Sequence, residues 1–315
     1  MRVVTFGEAM LRLSPPRDSS LEKAEEYLVE TAGAEANVAV ALARLGCESV
    51  WLSRLPSNAL GRRIAGRVRA HGVDTSHIIW TDHGRVGLYF VESGVPPRPL
   101  NVIYDRANSA FAEIRADEID PAVLDGADLL HVTGITPALS SGAASAVREL
   151  ISAAATRQIA ISYDLNYRAK LWTPAEARRF SEHILPQVDL FFVPAADASA
   201  VLGVDGTPEQ QLTSLADRYP RLTIVLTAGD EGAWAWDGEI HHRPAIAGVE
   251  IDRIGRGDAF CAGFLFGRHE RDTDYGLACG TTLAALAQTY AGDFIWSTRE
   301  DLLAVVDGIA PTHRR

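Results

Sequence analysis

Short apolar runs recur along the chain, and each ends close to a glycine, proline, asparagine or aspartate. They read VVTFG, SVWLSRL, ADLLHVTG, IAISYDLN, VDLFFVP and LTIVLTAG. Continuous apolar runs of this length are typical of strands that are buried on both faces of a sheet. The pattern therefore predicts a large, mostly parallel sheet that is covered by helices on both sides.

Segments with helical periodicity lie between these runs. AEANVAVALARLG places Val38, Ala41, Leu42 and Leu45 on one face and ends at Gly46, a typical residue after a helix C-terminus. LGRRIAGRVRAHG, GAASAVRELISAAATR and TPAEARRFSEHIL follow the same design. The alternation of strands with helices indicates a doubly wound α/β fold.

Two segments, about 10–32 and 85–112, interrupt the alternation. The second reads as two strands joined by a proline-rich loop. Such an insertion is either a solvent-facing excursion or a lid over the carboxyl ends of the strands, where these sheets bind ligands. Aromatic side chains on the insertion favour the lid. We predict one α/β domain over residues 1–308 with a small β lid, and a frayed tail at 309–315.

The composition and net charge of the chain argue against some classes of binding partner. The 315-residue chain carries a formal net charge of −11, which disfavours a nucleic-acid partner, although a small phosphorylated ligand responds only to local charge. No apolar run approaches the ~20 residues that span a bilayer, and MRVVTFGEAM has no signal-peptide pattern. With Cys47, Cys261 and Cys279 widely spaced and outside any CxxC pair, we expect a cytoplasmic protein with reduced thiols and no membrane partner.

The strongest chemical signal is DRIGRGDAFCAGF, in which a glycine-rich loop precedes an apolar helix. Gly255 and Gly257 allow close backbone approach, and the free N–H groups at a helix N-terminus form an anion site. Asp258 is either a plain capping carboxylate or a base that takes a proton from an attacking hydroxyl. In the second case the N–H groups of the loop, including Arg256, hold the transferred phosphate. We expect the preceding VEID to end a strand.

Polar residues also follow two other predicted strands. In YDLNYRAKLW, Asp164, Asn166 and Arg168 point to a common side if the chain stays extended. NVIYDRANSAF offers Tyr104 and Arg106 on the predicted lid. The two arginines could grip a carboxylate or phosphate by bidentate hydrogen bonds, or each could be a solvated ion-pair partner.

The turn in LTAGDEGAW supplies Thr227, Gly229 and Gly232 directly after a strand. It is either a simple tight turn or a contact to nucleotide phosphates or ribose. The chain has no GxxxxGK[ST] loop, no GxGxxG after the first strand and no protein-kinase motif set. A nucleotide would therefore be bound by a different arrangement.

In this order, AGAEANVAVALARLG, TAGDEGAW and DRIGRGDAFCAGF resemble the signatures of the ribokinase-like (PfkB) carbohydrate kinases, and the resemblance runs from the first strand to about Asp293. VIYDRANSAF, GITPALS and DLNYRAKLW are most similar to the branch that acts on 2-keto-3-deoxygluconate. The resemblance implies that ATP, with Mg²⁺, phosphorylates the terminal hydroxyl of that sugar acid. It also implies a homodimer that packs through the β lid, where Leu88, Phe90 and Ile103 would otherwise lie in water.

The resemblance implies roles for individual residues. The sugar-acid pocket would be lined by Gly33, Asn37, Tyr89, Tyr104, Arg106, Arg168, Asp258 and Asp293. The nucleotide would be bound by Asn166, Thr227, Gly229, Gly232, Gly255 and Gly257, with Asp258 as the base. Asp252 matches a position that helps to hold a monovalent cation, such as K⁺, beside the anion hole.

Three positions depart from the family pattern. Arg256 stands between the signature glycines, where a small residue is usual, and Pro194 and Asp197 replace the Asn and Glu of the motif that organises Mg²⁺-bound water. Asp197 is then the remaining carboxylate for Mg²⁺. The alternatives are a kinase for 2-keto-3-deoxygalactonate, fructose or a nucleoside, and a catalytically weak binding protein.

Overall fold

Strands and helices alternate along most of the chain in the computed structural model, which describes residues 1–94 and 97–308. The strands are β1 (Arg2–Phe6), β2 (Met10–Ser14), β3 (Leu28–Ala32), β4 (Glu48–Leu52), β5 (Arg54–Pro56), β6 (Ile79–Thr81), β7 (Leu88–Glu92), β8 (Asn101–Asp105), β9 (Leu129–Thr133), β10 (Ala160–Asp164), β11 (Leu190–Pro194), β12 (Thr223–Thr227), β13 (Ala233–Trp236) and β14 (Ile240–Arg243). The α-helices are α1 (Ala34–Arg44), α2 (Ala59–Arg69), α3 (Ile135–Ala138), α4 (Ser141–Thr156), α5 (Pro174–Ile184), α6 (Ala195–Leu202), α7 (Pro208–Arg218), α8 (Arg256–Glu270), α9 (Thr273–Ala287) and α10 (Arg299–Val306).

One eight-stranded sheet forms the centre, in the order β14-β13-β12-β11-β10-β9-β1-β4. The six strands from β12 to β4 are parallel to their neighbours, and β13 and β14 add an antiparallel edge. Helices α4 to α7 cover one face, and α1, α8, α9 and α10 cover the other. The predicted doubly wound α/β fold is confirmed.

Local signals set the helix ends. Thr173 caps α5 and forms a capping box with Glu176, and Pro174 takes the first helical position. Gly46 has a φ of 89° directly after α1, the left-handed conformation that glycine adopts without steric cost. These ends were predictable because the signals lie within a few residues of each other.

The two interrupting segments form a second sheet, called here the small sheet, with the order β3-β2-β7-β8. In this sheet Tyr89 of β7 lies opposite Tyr104 of β8. One face of the small sheet carries a buried cluster of Met10, Ala32, Tyr89 and Val91. The opposite face packs in part against the core around α2.

The prediction that VEID ends a strand is wrong. Residues 244–250 have no regular secondary structure and are exposed, and Val249 is 78% accessible. β14 already forms the sheet edge, and the segment is attached instead through Ile251 and Asp252, whose N–H groups donate to the carbonyl of Gln288. The tail predicted to fray, 309–315, lies outside the described residues. Within the described ranges, none of the helices has the length and apolarity needed to cross a membrane.

Candidate active site

A cavity of about 570 Å³ lies between the small sheet and the carboxyl ends of the central strands. Glu8 follows β1, Ile135 follows β9 and Arg168 follows β10, and all three border the cavity. Carboxyl ends of parallel strands are the usual ligand-binding edge of such sheets. The cavity brings together all eight residues expected to line the sugar pocket: Gly33, Asn37, Tyr89, Tyr104, Arg106, Arg168, Asp258 and Asp293.

A second cavity of about 690 Å³ opens nearby. It is bordered by Thr227, Gly229 and Gly232 of the turn after β12, and by Arg256 and Gly257 at the start of α8. Gly255 borders the first cavity instead. The residues 252–258, called here the signature segment, therefore separate two cavities. Among the predicted site residues, Asn166, Asp197 and Asp252 line neither of them.

Asp258 lies in the first turn of α8 on the floor of the first cavity. Its Oδ2 accepts a hydrogen bond of 2.6 Å from Nδ2 of Asn37, whose own Oδ1 accepts from the N–H of Gly33. Burial on the cavity floor raises the pKa of Asp258 to about 7, although Asn37 and the charge of Arg168 oppose the shift. A carboxylate with a pKa near neutrality is matched to general-base work at the pH of a cell.

The backbone ahead of Asp258 requires glycine at one position. Gly255 has a φ of 82°, and a Cβ there would lie 2.6 Å from the carbonyl oxygen of Asp293. A Cβ on Gly257 would meet nothing within 4 Å, so this glycine leaves open space toward the second cavity. The two signature glycines thus do different work: the first permits the turn and the second leaves the helix N-terminus accessible.

The basic residues of the first cavity are not equivalent. Arg106 donates from Nε and Nη2 to Oε2 of Glu8 at 2.9 and 2.5 Å, and the Glu8 side chain is buried. Arg168 is exposed and borders the cavity. Lys170 lies beside it and donates to the carbonyl of Val102 on the small sheet. Lys170 belongs to the polar residues of YDLNYRAKLW that were site candidates because they follow a strand, whereas Glu8 was not predicted although it also follows a strand at its carboxyl end.

A pair of acidic residues lies behind Asp258. Burial, and then the charges of Asp258 and Asp197, raise the pKa of Asp164 to about 8. Asp197 accepts from the N–H of Tyr167 at 2.9 Å, and burial also raises its pKa. The expectation that Asp164, Asn166 and Arg168 share one side of an extended chain is wrong. Asn166 has a φ of 37° and turns the chain, so that its N–H donates back to Asp164.

Asp164 and Asp197 are the carboxylates to compare with what the predicted Mg²⁺ would need. Among residues 1–94 and 97–308 there is no group of three or more His, Cys, Asp or Glu side chains that could hold a metal ion by themselves. Mg²⁺ in kinases usually keeps several waters and takes one or two carboxylates plus substrate phosphates. Asp164 and Asp197 are two interacting carboxylates, the number that such a role takes, and neither borders the two cavities.

Arg12 of β2 was not predicted to take part in the site, yet its guanidinium lies directly behind the signature segment. It donates to Asp252 at 2.5 Å and to Asp293 at 2.9 Å, and it is 2% exposed. Tyr89 donates to the same oxygen of Asp293 at 2.7 Å. The only local signal was a charge inside the apolar strand MLRLS.

The fold, the carboxylate of Asp258 at a helix N-terminus and the paired cavities are typical of small-molecule phosphotransferases of the ribokinase-like class. The model of the pfkB family of carbohydrate kinases matches residues 1–298, and the chain therefore belongs to this family. The predicted family and the predicted sugar-kinase activity are confirmed.

The chain is also similar to individual named kinases of this family. The chain is 41% identical over 308 residues to a 2-dehydro-3-deoxygalactonokinase of Haloferax volcanii, and the match covers 97% of this chain and 96% of that protein. It is 32% identical over 267 residues to a 2-dehydro-3-deoxygluconokinase of Thermoproteus tenax, covering 84% and 80%. The crystal structure of a 2-dehydro-3-deoxygluconokinase of Thermotoga maritima superimposes with a TM-score of 0.92 at 31% identity, with 98% of each chain covered. "2-Dehydro" and "2-keto" denote the same carbonyl.

Proposed function

We propose that the enzyme transfers the γ-phosphoryl group of ATP to the terminal hydroxyl of 2-keto-3-deoxygluconate, giving the 6-phosphate and ADP. The observation that carries the proposal is the position of the signature segment between two cavities. Asp258 borders one cavity, and Arg256 and Gly257 border the other. In-line transfer needs a base beside the acceptor hydroxyl and hydrogen-bond donors beside the phosphate.

The sugar acid would occupy the cavity under the small sheet, which acts as a lid that excludes water from the reacting phosphoryl group. Arg168 is the cation available for the carboxylate, since Arg106 is already paired with Glu8. Lys170 adds a second positive charge near it. Asp258 and Asn37 would face the terminal hydroxyl, and Asp258 would take its proton as the phosphoryl group arrives.

ATP would occupy the second cavity, with its phosphates directed at the N-terminus of α8 and its nucleoside end beside the turn of Thr227, Gly229 and Gly232. A bound Mg²⁺ would neutralise part of the charge of the phosphates. Asp164 and Asp197 would hold its coordinated water, in place of the Asn that Pro194 replaces.

Arg256 is expected to bind the ATP phosphates. Its side chain borders the second cavity, where Nη1 lies 3.8 Å from the fully exposed Asp230. Phosphates would displace this weak surface pair. Arg256→Ala should raise the KM for ATP about tenfold, the value of one partly screened charge-assisted contact, while the KM for the sugar acid stays within about twofold.

Steady-state kinetics with each substrate varied in turn would measure the Arg256 effect. Arg178→Ala, which removes a surface arginine paired with Glu182 on α5, is the matched control. An unchanged KM for ATP in Arg256→Ala would show that the side chain of Arg256 does not bind the phosphates.

The C-4 epimer, 2-keto-3-deoxygalactonate, is the second candidate substrate, because the 41% identical relative is named for it. ADP release coupled to a chromogenic assay should be followed with both epimers and with fructose. We expect turnover of at least one sugar acid and a kcat/KM for fructose lower by a factor on the order of 10², since fructose has no carboxylate for Arg168.

Two outcomes of that assay would contradict the proposal. Comparable kcat/KM values for fructose and both sugar acids would remove the role of the carboxylate. Binding of a sugar acid without ADP release would favour a catalytically weak binding protein. Pro194 and Arg256, which depart from the family pattern, are the reason for considering that alternative.

We also propose that two copies pair through the face of the small sheet that is opposite to its buried Tyr89. Phe90 of β7 and Ile103 of β8 lie opposite each other in an apolar row on this face, and Ile103 is 48% exposed. Leu88, expected to lie in water, instead packs beside the core around α2. A second copy would cover the apolar row. A solution mass equal to one chain, measured by light scattering, would refute the dimer.

A further inference from the structure

The position matched to a monovalent cation site is already occupied by a side chain. Asp252 lies 2.5 Å from Nη2 of Arg12, at its Oδ2. The same oxygen accepts from the N–H of Gly292, and Oδ1 accepts from the N–H of Ile254, each at 3.1 Å. Both oxygens of the carboxylate therefore have protein donors, and its charge is compensated.

The remaining atoms of the Arg12 guanidinium are also engaged. Nη1 donates to Oδ1 of Asp293 at 2.9 Å, Nε donates to Oγ of Ser14 at 2.9 Å, and Nε lies 3.9 Å from Glu30. Burial would lower the pKa of Arg12, but the charges of Asp293 and Asp252 raise it above its ordinary value. An arginine in this setting stays charged at any pH at which the protein is folded.

These contacts do not fit a K⁺ ion at Asp252. A metal ion there would have to compete with these donors for the carboxylate oxygens, and it would lie close to a buried positive charge, which repels it strongly at short range in a protein interior. The residues at this position satisfy the carboxylates with a guanidinium instead.

We propose that Arg12 is an internal cation that replaces the monovalent metal ion and holds the signature segment in its phosphate-binding form. Arg12 acts as a positioning residue through Asp252 and Asp293, which flank the turn at Gly255. Asp293 is packed so closely against Gly255 that a single Cβ on the glycine would collide with its carbonyl oxygen. Because Arg12 belongs to β2, the same contacts tie the small sheet to the N-terminus of α8.

This inference rests on the proposed phosphoryl transfer, in which the signature segment binds phosphate. It predicts that the wild-type rate differs by less than about twofold between K⁺, Na⁺ and choline salts, because Arg12 already fills the cation position. The salts are compared at equal ionic strength so that charge screening is constant. Arg12→Ala should lower kcat by a factor on the order of 10², the usual cost of a misplaced anion-hole donor. Added guanidinium or K⁺ should restore about tenfold of that loss relative to choline.

Chemical rescue separates this role from general stabilisation, because a structural loss would not respond to one cation over another. Arg85→Ala is the matched control, since Arg85 pairs with Asp105 at an exposed edge of the small sheet. It should keep the wild-type rate with no preference among cations. If Arg12→Ala does not fold, Arg12→Gln takes its place, because glutamine keeps part of the side-chain volume without the charge and should give the same rescue.

Thermal unfolding without substrates tests the inference independently of the proposed function. The unfolding midpoint of Arg12→Ala should rise in K⁺ relative to choline, and that of the wild type should not differ between K⁺ and choline. Activation of the wild type by K⁺ of tenfold or more would overturn the inference. A folded Arg12→Ala that no cation affects, in rate or in midpoint, would also overturn it. Failure to phosphorylate any sugar would reject the proposed function and leave the unfolding result standing.

Discussion

Asp258→Asn is expected to lower kcat by a factor on the order of 10² or more, because general bases typically contribute 10²–10⁴. The substitution keeps the shape of the side chain, and its Oδ1 can still accept from Nδ2 of Asn37, which donates to Asp258 at 2.6 Å. Only the capacity to take a proton is lost. Single-turnover ADP release with saturating ATP and sugar acid would measure the chemical step directly.

The pH dependence of the rate should show that Asp258 is the group that accepts the proton. Burial raises its pKa to about 7, so the carboxylate that accepts the proton disappears as the pH falls through that value. We expect the wild-type kcat/KM to decline below about pH 7 and to level off above it. Asp164, with a pKa raised to about 8, interacts with Asp258, so the observed pKa belongs to the pair. The residual activity of Asp258→Asn should lack this decline.

The unfolding midpoint shows whether Asp258→Asn is still folded. The folded state raises the pKa of Asp258 and therefore resists its ionisation, so this group costs stability increasingly as the pH rises from its unfolded pKa to about 7. At pH 8 the neutral Asn avoids this cost, and the unfolding midpoint should equal or exceed that of the wild type. Asp105→Asn, at an exposed ion pair of the small sheet, should leave both rate and midpoint unchanged. A folded Asp258→Asn enzyme with a near-normal rate would eliminate Asp258 as the base.

The sequence allowed prediction of those elements whose signals are local. The strands of the central sheet read as continuous apolar runs because both of their faces are buried, as at β9 (Leu129–Thr133) and β11 (Leu190–Pro194). VEID has similar letters but no strand partner, because β14 already forms the edge. Strand formation depends on a partner that a short window of sequence does not contain.

The same limit applies to the site. Asn166 could be found because it follows a strand at the sheet edge, whereas Asp293 was expected only from the resemblance to the family. The pairings of the site residues could not be predicted. Arg12 contacts Asp293 across 281 positions of sequence, and Arg106 contacts Glu8 across 98. The turn at Asn166 was missed for another reason: asparagine tolerates a positive φ, and extended geometry was assumed there.

The sequence predicted the same role for Arg106 and Arg168, but their different pairings predict different effects on substitution. Arg106→Ala would leave the buried carboxylate of Glu8 without its partner, and breaking such a pair costs about 3 kcal/mol or more of folding stability. Its main effect should be a lower unfolding midpoint. Arg168 is exposed and makes no such buried ion pair, so its removal should lower the midpoint less than the removal of Arg106 does.

Arg168→Ala should instead raise the KM for the sugar acid by roughly 10- to 100-fold, because a hydrogen bond to a charged group contributes about 1.5–3 kcal/mol. The kcat/KM for fructose, which has no carboxylate, should change less than about threefold. Arg168→Lys should recover part of the affinity, since the charge returns without the bidentate geometry. If Arg168→Ala left the KM for the sugar acid unchanged while Arg106→Ala raised it without loss of stability, Arg106 would bind the carboxylate. The pair with Glu8 would then have to open when the sugar acid enters.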